Sequence, residues 1–142
     1  AVDLTIVALP GCTSGGPQCG FRSDVAIACD LINGLIVITG TAYAGEIKKS
    51  VFTYASYVLP SRDELPMHSS VTTAIDGTNV AVFFGLSGTG KTSLSSDPHR
   101  MLLGDDEHVW SGSGLYNIEA GCYAKFINLS QQKEPAIWSA CH

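Results

Sequence analysis

Residues 80–93 constrain this chain more than any other stretch. Val80, Ala81, Val82, Phe83 and Phe84 form a short apolar run rich in strand formers, and it breaks into Gly85-Leu86-Ser87-Gly88-Thr89-Gly90-Lys91-Thr92-Ser93. A buried strand delivered into G-x-x-x-x-G-K-[ST] is the pattern of a phosphate-binding loop. Glycines let the backbone turn with positive φ and aim successive N–H groups at phosphate oxygens, where a Cβ would obstruct them. Lys91 would reach the β- and γ-phosphates, and the Thr92 hydroxyl would ligate the metal ion that bridges them. The start of the following helix would add partial positive charge. For this composition an accidental match has roughly a 1% chance, and the preceding strand lowers it further.

Beyond the loop, only residues 94–96 can continue a helix before Asp97-Pro98, and Met101-Leu102-Leu103 already reads as the next strand. A parallel crossover needs a dozen or more residues with its helix, so an ordinary ATPase or GTPase unit does not fit and a mixed sheet is expected. That strand ends in Gly104-Asp105-Asp106-Glu107-His108. Carboxylates at the end of an apolar strand beside a phosphate loop are where a phosphate-held divalent cation would find protein ligands. A solvated acidic turn is the bland alternative. His108 reads as a ligand or as a donor behind the ligands, ranked below the aspartates.

Upstream, residues 4–9 form a strand stopped by Pro10-Gly11, and the Gly-, Pro-, Ser- and Cys-rich residues 10–21 read as a loop. Residues 25–29 and 35–39 are two further strands of the same sheet, joined by a turn at Asn33-Gly34. Ile47, Val51, Tyr54, Ala55 and Val58 then share one helical face that ends before Pro60. Lys48 and Lys49 fall in the first turn of that helix and oppose its dipole, a conflict a bound anion would remove; two solvated surface lysines are the alternative. Residues 61–66 are the best linker. His68, next to Met67, stands before a strand, and alone it reads as structural or merely exposed more readily than as a ligand. Residues 115–118 and 122–129 look like two more strands, and residues 131–142 begin a possible helix.

Composition excludes several classes. A net charge of −5 and a pI near 5.1 argue against a general nucleic-acid or membrane surface, so any anion is bound locally. Cys12, Cys19, Cys29, Cys122 and Cys141 are odd in number and lack C-x-x-C spacing, which suggests neither a disulfide framework nor a zinc knuckle and favours a reducing cytosol. No apolar run approaches the roughly 20 residues of a membrane span, and the start lacks the charged region of a signal peptide.

Five blocks stand in register: Gly40-Thr41-x-Tyr43-x-Gly45-Glu46-x-Lys48-Lys49, Met67-His68, the run from Phe83-Phe84 through Thr92, Gly104-Asp105-Asp106-Glu107-His108-x-Trp110, and Gly121-Cys122-Tyr123-Ala124-Lys125. In order and spacing they resemble the ATP-dependent phosphoenolpyruvate carboxykinase family, from about residue 5 onward. The resemblance implies a partial α/β, mixed-sheet P-loop fold, in which residues 1–62 end an N-terminal, substrate-side domain and residues 63–142 begin a nucleotide-binding domain. It implies a cytoplasmic carboxy-lyase of gluconeogenesis that converts oxaloacetate and ATP into phosphoenolpyruvate, CO2 and ADP with Mn2+ and Mg2+. Lys49, His68 and Asp106 would hold the Mn2+, with Lys49 as a neutral amine, and Thr92 would take the Mg2+. Tyr43 and Lys49 would touch the substrate. Lys48 and Lys91 would neutralise the moving phosphoryl group, and Asp105 would join Asp106 among the catalytic residues. Nucleotide contacts would come from Lys49, His68 and the loop residues Gly85, Leu86, Ser87, Gly88, Thr89, Gly90, Lys91, Thr92 and Ser93. Departures exist: residues 69–72 differ from the family's usual run, Ser93 stands for a threonine and Ala120 for a glycine. The family's substrate arginines and adenine pocket have no match among Arg22, Arg62 and Arg100. The rest of a longer enzyme is therefore an expected partner, and a phosphate-binding module without catalysis is the rival from a different class.

Overall fold

Ile36, Val37, Ile38 and Thr39 are β-branched in succession, which disfavours a helix and suits a pleated strand. With Leu35 they form β3 (Leu35–Thr39), the middle strand of the first sheet. The computed structural model describes residues 4–86, 88–119, 130–132, 135, 138 and 139. Strand β1 (Thr5–Leu9) pairs parallel to β3, with Thr5 opposite Leu35 and Leu9 opposite Thr39. Strand β2 (Ala26–Asp30) pairs antiparallel on the other side as a hairpin, as the Asn33-Gly34 turn led one to expect. The Asp30 carboxylate closes that turn by accepting hydrogen bonds from the Asn33 side-chain amide at 2.7 Å and its backbone N–H at 3.0 Å, which hold its pKa below the ordinary value. Alternation puts Ile36 and Ile38 on one face, and both are buried. Helix α1 (Gly45–Val58) packs against β3 and places Lys48 and Lys49 at its start, as expected.

Residues 61–66, the expected linker, have regular local structure. Pro60 takes an early position in a 3₁₀ turn, Leu59–Arg62, that prolongs α1, and Asp63 closes the turn with φ of 59°. Strand β4 (Leu65–His68) follows directly. The chain divides into two compact units, residues 1–66 and residues 67–142.

The second unit contains β5 (Ser70–Thr73), β6 (Ala81–Phe83), α2 (Lys91–Ser95), β7 (Met101–Gly104), β8 (Glu107–Ser111) and β9 (Gly114–Asn117). One sheet has the order β6-β5-β7 and the other β4-β8-β9. Both β6 and β7 run antiparallel to β5, so the short helical connection joins two edges across a central strand. Helix α2 rests on β5 and β6. Arg100 ties the region together by donating from Nε to Thr72 Oγ1 at 2.7 Å and from Nη2 to the carbonyls of Thr72 and Asn79.

Strands β5 and β8 were not legible from apolar pattern. Ser70, Thr72, Glu107 and His108 are buried polar residues, so these strands sit inside without an apolar signature. Among the described residues of this unit, Met67, Val71 and Val109 are the buried apolar ones. Among the described residues no helix is long and apolar enough to cross a membrane. The strand expected at 122–129, the block at 121–125, Ser87 and most of the helix expected from residue 131 lie outside the described residues.

Candidate active site

The register of the β6-β5-β7 sheet sets the site. Ser70, at the start of β5, pairs with Phe83 at the end of β6, and Val71 pairs with Gly104 at the end of β7. The phosphate-type loop that follows β6, the acidic turn that follows β7 and His68 just ahead of β5 therefore leave the same end of one sheet. Three of the five sequence blocks meet there.

The loop has the backbone its sequence requires. Gly88 and Gly90 adopt φ of 80° and 91°, in the left-handed region that only glycine enters without strain, and Gly90 caps α2. Thr89 donates to the Leu86 carbonyl through both its N–H at 3.3 Å and its hydroxyl at 2.7 Å. The Lys91 ammonium folds back onto the Gly85 carbonyl at 2.6 Å and the Leu86 carbonyl at 3.3 Å. Thr92 and Ser93 follow on α2 and are exposed. Carbonyl oxygens are neutral acceptors, so anionic phosphate oxygens in reach of Lys91 would outcompete them.

The acidic turn is fastened on every side. Ser69 N–H donates to the Asp106 carbonyl at 2.9 Å, and Ser70 Oγ donates to the Asp105 carbonyl at 2.7 Å. Glu107 N–H donates to Glu119 Oε2 at 2.9 Å, while the Glu107 carbonyl accepts from Ile118 N–H and Asn117 Nδ2, each at 3.2 Å. Gly104 has to be glycine, because a Cβ there would collide with Asn117 Nδ2 and come within 2.8 Å of His108 Nε2.

His68 meets Asp106 directly. Its Nδ1 lies 2.8 Å from Asp106 Oδ1 and 3.1 Å from the Asp106 carbonyl. Both oxygens are acceptors, so Nδ1 carries the proton and the lone pair of the neutral ring falls on Nε2. That is the tautomer of a metal-ligating histidine backed by a carboxylate. The side chains retain 44% and 21% of their surface, so both are within reach of an ion. His68 Nε2 therefore suits a divalent cation, with Asp106 holding the ring from its other side. Among the described residues no cluster of three or more His, Cys, Asp or Glu side chains has metal-holding geometry, so this pair needs donors of another kind to complete a site.

His108 is not such a donor. It is fully buried, Nδ1–H donates to the Ser69 carbonyl at 2.8 Å and Nε2 accepts from Asn117 Nδ2 at 3.2 Å. Burial pushes its pKa below the ordinary 6.5, against smaller opposing effects from the Ser69 bond and from Glu119, Asp105 and Asp106. The sequence alternative of a direct ligand is thereby corrected, since both ring nitrogens are spent inside the protein.

Tyr43, Lys48 and Lys49 belong to the first unit. The Tyr43 ring lies against Gly45, at the start of α1, and is exposed. The Lys49 ammonium sits 5.9 Å from the centroid of the Phe52 ring, a cation–π arrangement along one helix turn. Sequence reasoning passed over Ser69, Ser70, Asn117 and Glu119, which hold the acidic turn. No local pattern marks them, because each acts through a partner distant in sequence.

All 142 residues match the family model described as phosphoenolpyruvate carboxykinase. The chain belongs to the phosphoenolpyruvate carboxykinase family. It is 57% identical over 136 residues to a phosphoenolpyruvate carboxykinase (ATP) of Rhizobium johnstonii, covering 96% of this chain and 25% of that protein. The corresponding protein of Agrobacterium fabrum is 56% identical over 137 residues, with 96% and 25% covered, and that of Rhizobium leguminosarum bv. trifolii is 55% identical over 139 residues, with 98% and 26% covered. The chain thus spans about a quarter of the length of these carboxykinases.

Proposed function

We propose that this chain carries the phosphate loop and the metal-binding acids of an ATP-dependent phosphoenolpyruvate carboxykinase, which converts oxaloacetate and ATP into phosphoenolpyruvate, CO2 and ADP in the cytoplasm, as a step of gluconeogenesis. The observation that carries this reading is the common sheet end from which the loop, the acidic turn and His68 depart. In this reading residues 1–62 close a substrate-side domain, and residues 63–142 open a nucleotide-binding domain of the P-loop type.

Each residue then has a task. Tyr43 and Lys49 orient the oxaloacetate, so that loss of CO2 leaves an enolate whose oxygen faces the γ-phosphate in line. Backbone N–H groups of residues 85–93 and the Lys91 ammonium cradle the triphosphate, and Lys48 shares the charge of the phosphoryl group in transfer. Lys91 exchanges its carbonyl partners in the loop for phosphate oxygens. Lys49, His68 and Asp106 would hold Mn2+ between them, His68 as a ligand through Nε2 with the Asp106 carboxylate behind its ring and Lys49 as a neutral amine, with Thr92 on Mg2+ and Asp105 beside it. The bound cations supply electrophilic stabilisation of enolate and phosphate charge.

The test is a coupled assay of phosphoenolpyruvate formation in the complete protein containing this chain, with oxaloacetate, ATP and Mn2+. Turnover that requires all three, and that disappears in Lys91→Ala, is the expected result. ATP binding without turnover would instead leave a phosphate-binding module.

A further inference from the structure

The bond network around Ser69 reaches from a buried strand to the pair His68 and Asp106. Both ends of the Ser69 residue are held by one short segment: its N–H donates to the Asp106 carbonyl at 2.9 Å, and its carbonyl accepts from His108 Nδ1 at 2.8 Å. The Ser69 side chain adds nothing, since its hydroxyl is buried and has no hydrogen-bond partner among the described residues. The placement of residue 69, and of His68 bonded to it, therefore depends on its peptide groups. The donor to the Ser69 carbonyl is a side chain on β8, that of His108.

That side chain is itself fixed. Glu119 N–H donates to Asn117 Oδ1 at 2.8 Å, which orients the amide so that its Nδ2 faces His108 Nε2 at 3.2 Å. An amide donor at Nε2 forces the proton onto Nδ1, the nitrogen that faces the Ser69 carbonyl. Gly104 leaves the space in which the Asn117 amide and the imidazole meet.

We propose that His108 is a positioning residue, whose Nδ1–H grip on the Ser69 carbonyl sets His68 against Asp106 and so fixes the affinity of that pair for a divalent cation. The inference rests on the metal reading given under Proposed function. It assigns to His108 no contact with the cation, only the placement of one ligand. Outer partners of this kind typically govern 10–100-fold in metal affinity.

The experiment titrates Mn2+ alone into the complete protein containing this chain and reads free Mn2+ by electron paramagnetic resonance. His108→Asn puts an amide N–H near the position of Nδ1, whereas His108→Gln puts it near Nε2, out of reach of the Ser69 carbonyl. The expected result is a dissociation constant close to wild type for His108→Asn and about 10–100-fold weaker for His108→Gln. Val109→Ala, a cavity in the same strand, is expected to lower stability and leave Mn2+ affinity unchanged. Equal affinities for the Asn and Gln variants, or an equal loss in Val109→Ala, would overturn the assignment. Asp106→Asn separates the two levels. If it weakens Mn2+ binding while His108→Gln does not, the positioning role alone fails; if it too has no effect, the metal reading fails and this inference with it.

Discussion

The glycine loop after β6 and the acidic turn after β7 leave the same end of one sheet, and they are held in opposite ways. The loop is fastened by its own residues: Thr89 and Lys91 bond to the carbonyls of Gly85 and Leu86, within a span of seven residues. The turn is fastened from outside, by Ser69, Ser70, Asn117, Ile118 and Glu119, through groups up to 37 residues away in sequence. A loop whose cation rests on neutral carbonyls is poised to trade them for an anion. A turn clamped by buried strands keeps its carboxylates in place before any ion arrives, which reduces the ordering cost of binding. The difference assigns adaptability to the glycine loop and rigidity to the acidic turn.

Paired substitutions break or sharpen this contrast. The largest effect is expected at Gly104, where Gly104→Ala forces the Asn117 amide and the His108 ring apart and should cost about 1–3 kcal/mol in urea denaturation. Gly88→Ala meets no atom within 4 Å, so its cost of about 1–2 kcal/mol comes from the φ of 80° alone. The distinction is readable with asparagine, which tolerates the left-handed region: Gly88→Asn should recover much of the loss, and Gly104→Asn should not. Equal recovery at both positions would erase the contrast. Ser70→Ala strips the Asp105 carbonyl of its hydroxyl donor and should cost about 1 kcal/mol, measured as a shift in urea midpoint.

The smallest effect is a pH dependence. Because the folded protein holds His108 neutral with a pKa below the unfolded value near 6.5, the group contributes no pH dependence above that value. As pH falls through 6.5 the unfolded chain takes up a proton that the folded one refuses, so stability declines until the lower folded pKa is reached. Urea midpoints between pH 7.5 and 5.5 should fall more steeply for wild type than for His108→Asn; parallel slopes would remove His108 as the source.

The same contrast explains what was legible in the sequence. The loop announces itself because its chemistry sits in contiguous residues, and the turn at Asn33-Gly34, the first sheet and α1 follow from equally local signals. Asp105 and Asp106 were readable as acids at a strand end. Their fastening was not, because Ser69, Ser70, Asn117 and Glu119 are ordinary polar residues until the β5 and β8 registers bring them together. Those strands hid for the same reason: they are buried through hydrogen-bonded polar side chains, and an apolar pattern cannot reveal them. Residues 61–66 read as a linker, and their local shape was not legible because Pro60 and Asp63 form a 3₁₀ turn as readily as they break a helix.

In the proposed function the loop gives up its internal Lys91 bonds to hold phosphate. Calorimetric titration of ATP with Mn2+ into the complete protein, wild type against Lys91→Ala, tests it most directly. ATP affinity is expected to drop by roughly 10–100-fold, the range of one charge-assisted contact, while the urea midpoint moves little because the lysine bonds only to carbonyls of its own loop. Unchanged ATP affinity in Lys91→Ala would contradict it.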